Sequence, residues 1–171
     1  MFSRETDTDR ADWPLLQNGA VNLFWKQVLF EEARRALEGL DYDILAVDCR
    51  SGWPTFQDQI STTLKWREQF GYAPWNGNLD AFNDGLKDFP FGPSKQSALA
   101  LKGFHVLVEE ARDHADAVLD MLEYAARDHL LWSDTLIVLV QTDDPQYECA
   151  PIGGRRASWN GREWLASNRG L

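Results

Sequence analysis

A chain of 171 residues, 44% of them hydrophobic, is long enough for one domain with a sizeable core, and no apolar run reaches the roughly 18 residues of a membrane span. The net charge of −10 disfavours direct binding of nucleic acid, which needs a basic footprint, and favours a basic partner. The start of the chain is polar and has no basic-then-apolar leader, so we expect a soluble cytoplasmic protein. Cys49 and Cys149 allow one disulfide but indicate no framework, and we expect both to be reduced.

The first half of the chain alternates short apolar runs with amphipathic stretches. The run 20–25 predicts a strand, and 26–40 predicts a helix with an apolar stripe at helical spacing. The run 44–47 is continuously apolar, which is typical of a buried parallel strand. A helix-start pattern at Thr55 then predicts a helix to about Gln69, where Phe56, Ile60 and Leu64 recur every four residues.

The stretch 78–88 predicts a short acidic helix. Asn78 is a good N-cap after the turn residues 74–77, and Leu79, Phe82 and Leu86 share one face. Asp80 and Asp84 lie four residues apart on the neighbouring face, with no Lys or Arg within residues 78–86. Such a like-charge pair costs a helix about 0.2–0.5 kcal/mol. The helix dipole accounts for Asp80 in the first turn but not for Asp84, so the pair indicates either a partner-binding function or a merely solvated face.

The second half continues the alternation. The run 98–107 predicts a strand with Gly103 at a bulge or crossing point, and 135–140 predicts the next buried strand. Between them, 109–129 predicts a long helix. We expect its solvent face to carry Asp113, Asp116, Asp120, Glu123 and Arg127, and the flank between this face and the core stripe to carry Ala117, Met121, Tyr124 and Asp128.

The tail contains a helix-start device. Asn160 would be the cap, Glu163 would reach back to it, and Trp159 would pack on Trp164, so we expect a closing helix to about Ser167 that Gly170 stops. Residues 153–156 (Gly-Gly-Arg-Arg) suggest a flexible loop more than an anion site. Strands that alternate with helices predict an α/β fold with a parallel sheet.

The stretch Asn78-Leu79-Asp80-Ala81-Phe82-Asn83-Asp84-Gly85-Leu86 resembles the signature of the barstar family, Asn-Leu-Asp-Ala-(aromatic or Leu)-x-Asp-x-Leu. The resemblance extends more weakly over about residues 42–141. It implies a small three-stranded parallel sheet flanked by helices, to which the run 20–25 would add a fourth strand. Residues 1–41 would then be an N-terminal extension packed on the domain, and 142–171 a C-terminal extension with a short capped helix.

Members of this family inhibit barnase-type ribonucleases, and two helix-borne aspartates take the places of RNA phosphates in the nuclease active site. The resemblance therefore implies a toxin-neutralising protein without catalytic residues, cofactor or metal. Its partner would be a basic ribonuclease or nuclease toxin domain rather than nucleic acid or a membrane, and we expect a monomer. The partner-binding residues implied are Asp80, Asp84, Trp75, Asn83, Met121, Tyr124 and Glu123.

Two departures keep alternatives open. Asn83 stands where barstar carries tryptophan, and the turn 74–77 is short or shifted against the Tyr-rich turn of the family. A regulatory or adaptor protein that kept the fold without inhibiting a nuclease would show such changes. A small hydrolytic enzyme is the weaker alternative, because each histidine stands alone in its segment and no common catalytic motif is present. We expect His105 in the core or at a strand edge, and His114 and His129 to be solvated.

Overall fold

The computed structural model describes residues 7, 9–153 and 157–171, which form one five-stranded sheet with helices on both faces. The strands have the order β2-β3-β4-β1-β5, and every neighbouring pair is parallel. The elements in chain order are α1 (Trp13–Leu16), β1 (Val21–Phe24), α2 (Gln27–Glu38), β2 (Asp43–Asp48), α3 (Trp53–Thr63), α4 (Trp66–Phe70), α5 (Leu79–Lys87), β3 (Gln96–Lys102), α6 (His105–Leu130), β4 (Thr135–Gln141), β5 (Ser158–Trp159) and a 3-10 helix (Ala166–Arg169).

The predicted α/β class and parallel sheet are confirmed, and the sheet is larger than predicted. The run 20–25 does supply a strand, β1, whose Val21 is in register with Val138 of β4. On its other edge β1 pairs with β5, where Leu23 is in register with Trp159. Both terminal segments thus add strands to one continuous sheet.

Alternate residues of the central strands face two separate cores, as the period of two in a strand requires. Ala98 and Ala100 of β3 belong to the core under α2, whereas Leu99 and Leu101 belong to the core under α3, α5 and α6. The acidic helix α5 therefore lies on the face of the sheet opposite to α2, and α6 packs beside it.

Two predicted element boundaries are wrong. The helix expected over 55–69 is divided into α3 and α4, because Lys65 between them adopts a left-handed conformation with φ 51°. The strand expected to reach residue 107 ends at Lys102, because the buried Gly103 has φ +71° and turns the chain directly into α6. Helix α6 thus begins at His105, and a non-helical residue, Ala111, kinks it near its start.

The closing helix predicted from Asn160 is also wrong. Trp159 lies in β5, turns follow, and only the short 3-10 helix forms before Gly170, which ends it in the left-handed conformation as expected. Asn160 does hydrogen-bond to Glu163, but the Glu163 carboxylate accepts from the backbone N–H groups of Trp25 (3.0 Å) and Lys26 (2.7 Å). Glu163 therefore caps the start of α2 instead of a helix of its own.

A carboxylate predicted on the solvent face of α6, that of Asp116, is buried. It accepts hydrogen bonds from the Tyr147 hydroxyl (2.7 Å) and the Ala150 N–H (3.1 Å), because the segment after β4 folds back over this side of α6. Cys49 and Cys149 are buried free thiols. Residues 154–156 of the Gly-Gly-Arg-Arg stretch lie outside the described residues. In the described part of the chain, no helix is long and apolar enough to cross a membrane.

Candidate functional site

Helix α5 presents the two aspartates on a firmly packed base. The Asn78 side chain accepts a hydrogen bond from the Ala81 N–H at 3.0 Å, which is the predicted N-cap. Phe82, Gly85 and Leu86 are buried against the core. A Cβ atom on Gly85 would lie only 2.7 Å from the Trp66 ring, so glycine lets α5 approach α4 closely. Asp80 and Asp84 consequently stand on the exposed face, with Asp80 in the first turn as the helix dipole favours.

Trp75 supports this helix from below and is not a surface residue. Its side chain has no exposed area, and its indole N–H donates to the Asn78 carbonyl oxygen at 2.7 Å. Its ring lies 4.8 Å from that of Phe82, and its backbone N–H donates to the Ser61 hydroxyl at 2.7 Å. A contact between Trp75 and a partner would require α5 to lift off its core. We therefore correct its predicted role from partner contact to support of the N-cap.

Glu123 likewise does not reach the surface. Its side chain is 0% exposed, and one carboxylate oxygen accepts from the backbone N–H groups of Ala20 (2.7 Å) and Val21 (3.1 Å) at the start of β1. Gly19, with φ +118°, makes room for this carboxylate, since a Cβ atom there would lie 2.9 Å from it. The N-terminal segment covers Glu123, so we correct its predicted role from partner contact to anchor of β1.

Lys87 was not identified as a site residue from the sequence. It directly follows residues 78–86, which contain no Lys or Arg. Its ammonium group donates to the Asp84 carboxylate at 2.7 Å, and both side chains remain exposed, at 62% and 59%. The pKa of Lys87 is raised chiefly by this hydrogen bond and the Asp84 charge, with smaller effects from Tyr124 and Asp128. Solvent screens an exposed pair of this kind, so it contributes little to stability, and Asp84 is accessible but carries an internal counter-ion.

Helix α6 completes an acidic surface beside α5. Tyr124 is 58% exposed and Asp128, one turn further on, is also exposed, whereas Met121 and Asn83 are half-buried between the helices. The His129 ring is bonded to the Leu86 carbonyl oxygen at 2.8 Å, which joins this end of α6, including its neighbour Asp128, to the end of α5. We call Asp80, Asn83, Asp84, Lys87, Met121, Tyr124 and Asp128 the α5–α6 face. Helical spacing had placed Asp128 on the same flank of α6 as Met121 and Tyr124, but Asp128 was not among the predicted partner-binding residues.

The histidines do not gather near this face as a catalytic group would. His105 accepts from the Asp143 N–H at 3.2 Å, and His114 packs its ring on Trp53 and Trp75, where burial lowers its pKa. His129, predicted to be solvated, is buried and bonded to the Leu86 carbonyl oxygen at 2.8 Å. A shallow cleft of about 460 Å³ beside His114 includes Asp113. Among the described residues, no group of three or more His, Cys, Asp or Glu side chains is arranged to hold a metal ion.

A model of the family described as Barstar (barnase inhibitor) matches residues 44–141, more than half of the chain. The chain belongs to the barstar family. The match begins at β2 and ends at β4, so β1, α2 and β5 lie outside it although they belong to the same sheet. No curated protein and no solved structure matches the chain significantly. The barstar family is an inhibitor family that binds barnase-type ribonucleases, and α5 with both aspartates lies inside the matched region.

Proposed function

We propose that this barstar-family protein inhibits a basic ribonuclease by inserting Asp80 and Asp84 into a cationic active site built for phosphates. The observation that carries the proposal is the exposure of both carboxylates on a helix whose other face is fully buried. Because the cap and the core fix α5 in advance, binding would order few additional groups. Charge-assisted hydrogen bonds from Arg and Lys to a carboxylate are among the strongest available to a protein surface.

The charge of the chain supports the same partner. Residues 42–141 carry 15 acidic and 8 basic side chains, whereas residues 142–171 carry 4 of each. Residues 42–141, which contain the α5–α6 face, thus carry a net charge of −7 out of the −10 of the whole chain. A negative surface of this kind speeds encounter with a positively charged cleft and repels other acidic proteins.

One observation favours the second candidate, a barstar-fold adaptor that does not inhibit a nuclease. Lys87 already neutralises Asp84, and a partner cation must displace it. This displacement costs little, because the pair is exposed and solvent screens it. The need to displace Lys87 weakens binding by less than about tenfold and does not block access to Asp84. We therefore keep inhibition as the proposed function, and we expect the Asp84–Lys87 pair to modulate affinity.

The test is inhibition of barnase-type ribonucleases by the wild-type chain, with Asp80→Ala and Asp84→Ala as variants. We expect each variant to lose at least about 2 kcal/mol of binding free energy, or roughly thirtyfold in the inhibition constant, since each removal strands a buried nuclease cation. The melting temperature should stay close to that of wild type, because both side chains are exposed and the Asp84–Lys87 pair that Asp84→Ala removes lies at the surface.

The matched control is Glu38→Ala. Glu38 is also an exposed helical acid near an arginine, Arg34 at 3.9 Å, but it lies on α2 across the sheet from α5. Its removal changes the net charge equally and should leave inhibition within about twofold of wild type. Equal losses in Asp84→Ala and Glu38→Ala would mean that only net charge matters, and a wild-type chain without inhibition would favour the adaptor.

A further inference from the structure

Two large apolar side chains stand in solvent at the end of α6. Leu131 is 80% exposed and Trp132 is 72% exposed, more than any other large hydrophobic side chain among the described residues. We call these two residues the α6 tip. Trp has a very large apolar side chain, so leaving it in water forgoes a large gain from burial.

The α6 tip is continuous with the α5–α6 face. Leu131 keeps helical backbone angles, φ −65° and ψ −23°, so it projects in nearly the same direction as Tyr124, seven residues before it, and neighbours Asp128, three residues before it. The rise of a helix places Leu131 about 10 Å along the axis from Tyr124. Tyr124, Asp128 and Leu131 therefore lie on one side of α6, and Trp132 follows Leu131 in the turn.

The tip is held in place rather than loosely attached. The backbone N–H groups of residues 131–134 all donate to carbonyl oxygens of the last turn of α6, at 2.9–3.1 Å. Asp134, which ends this turn, is paired with Lys95 at 3.4 Å. A rigid apolar pair loses little conformational entropy when it is covered, which is the property of an anchor in a protein–protein interface.

The rest of the α5–α6 face offers one aromatic anchor, Tyr124. Asn83 is polar, Trp75 is buried beneath α5, and Tyr124 is the exposed aromatic residue beside the aspartates. Interfaces between proteins draw most of their binding energy from a few aromatic and other large side chains, since exposed charges alone contribute little.

We propose that the α6 tip is the apolar anchor of the same interface and covers an apolar patch on the ribonuclease next to its cationic cleft. This inference rests on the proposed function and extends it. The acidic α5–α6 face that leads to the tip argues for a basic partner rather than a second acidic copy of this chain, whose like charges would meet.

The test compares Leu131→Ala/Trp132→Ala with Trp164→Ala/Leu165→Ala in binding to barnase and a panel of basic ribonucleases of the same type. The control pair is also a Leu and a Trp, 60% and 62% exposed, but it lines a groove beside α2 across the sheet. We expect the tip variant to bind at least about tenfold more weakly, mainly through faster dissociation, and the control to stay within about twofold. The salt dependence of association should match wild type, because no charge is removed.

The outcomes separate the two proposals. If wild type inhibits and the tip variant binds equally well, this inference is overturned while the proposed function stands. If wild type binds no ribonuclease of the panel, both fall. If sedimentation shows that wild type dimerises and that only the tip variant is monomeric, with ribonuclease binding unaffected, the occupant is a second copy and the inference is overturned. Unchanged melting temperatures of both variants exclude unfolding as the cause.

Discussion

Replacing Glu123 by glutamine distinguishes an anchor from a partner contact. The carboxylate is fully buried and accepts two backbone hydrogen bonds, from Ala20 at 2.7 Å and Val21 at 3.1 Å. A hydrogen bond to a charged group contributes about 1.5–3 kcal/mol and a neutral one about 0.5–1.5 kcal/mol. Glu123→Gln keeps the shape but makes both bonds neutral, so we expect a loss of about 2 kcal/mol.

For a chain of this length that loss corresponds to a fall of about 4–8 °C in the melting temperature. Urea unfolding followed by circular dichroism measures the free energy, and inhibition at 25 °C should match wild type because the folded protein still predominates. Asp113→Asn, an exposed acid on the same helix, is the control and should change stability by less than about 0.5 kcal/mol. Unchanged stability with weaker inhibition would refute the burial argument and make Glu123 a contact residue.

Three further predictions concern the helix, its counter-ion and alkaline pH. Lys87→Ala should tighten ribonuclease binding up to about fivefold, measured by calorimetry, because it frees the Asp84 carboxylate of α5 and leaves stability nearly unchanged. Weaker binding would show that Lys87 contacts the partner. Gly85→Ala should destabilise the protein by about 1–3 kcal/mol in thermal unfolding, because the added methyl group would lie 2.7 Å from the Trp66 ring. Helix propensity alone predicts a gain in stability, and such a gain would refute the close packing of α5 on α4. Burial, with the charge and hydrogen bond of Asp12, raises the pKa of Tyr42 well above 10, so the folded state holds this proton more tightly than the unfolded chain. The resulting stabilisation is complete below about pH 10 and is lost as pH rises beyond it. In urea titrations at pH 8–11, the free energy of unfolding of Tyr42→Phe should therefore fall less with pH than that of wild type. An equal fall in both proteins would contradict the raised pKa of Tyr42.

Residue spacing within a single segment correctly predicted several helices and strands. The apolar runs at 44–47 and 135–140 are strands, Asn78 caps α5, and the aspartates face solvent. Each follows from a spacing of residues that short-range sterics and burial translate directly into structure. The family signature lies in such a segment, which is why residues 78–86 alone indicated the family.

Helical spacing failed where a distant segment supplied the partner. Asp116 and Glu123 occupy positions on α6 that spacing assigns to solvent, yet the segments that follow β4 and precede β1 cover them. Glu163 has the spacing of a local cap but caps α2 instead, 137 residues away. A buried carboxylate is stable only where hydrogen-bond donors contact it, and here the N–H and O–H donors come from distant segments of the chain.

The sequence by itself determined the class of the fold, the family and the pair of helix-borne carboxylates, because these depend on periodicity and capping within short segments. Only the tertiary structure decided which acids are exposed and which hold the terminal strands in place, and it alone showed that Leu131 and Trp132 are exposed at the end of α6. The physical reason is that exposure belongs to the assembled molecule: a side chain is accessible only if no other part of the chain covers it.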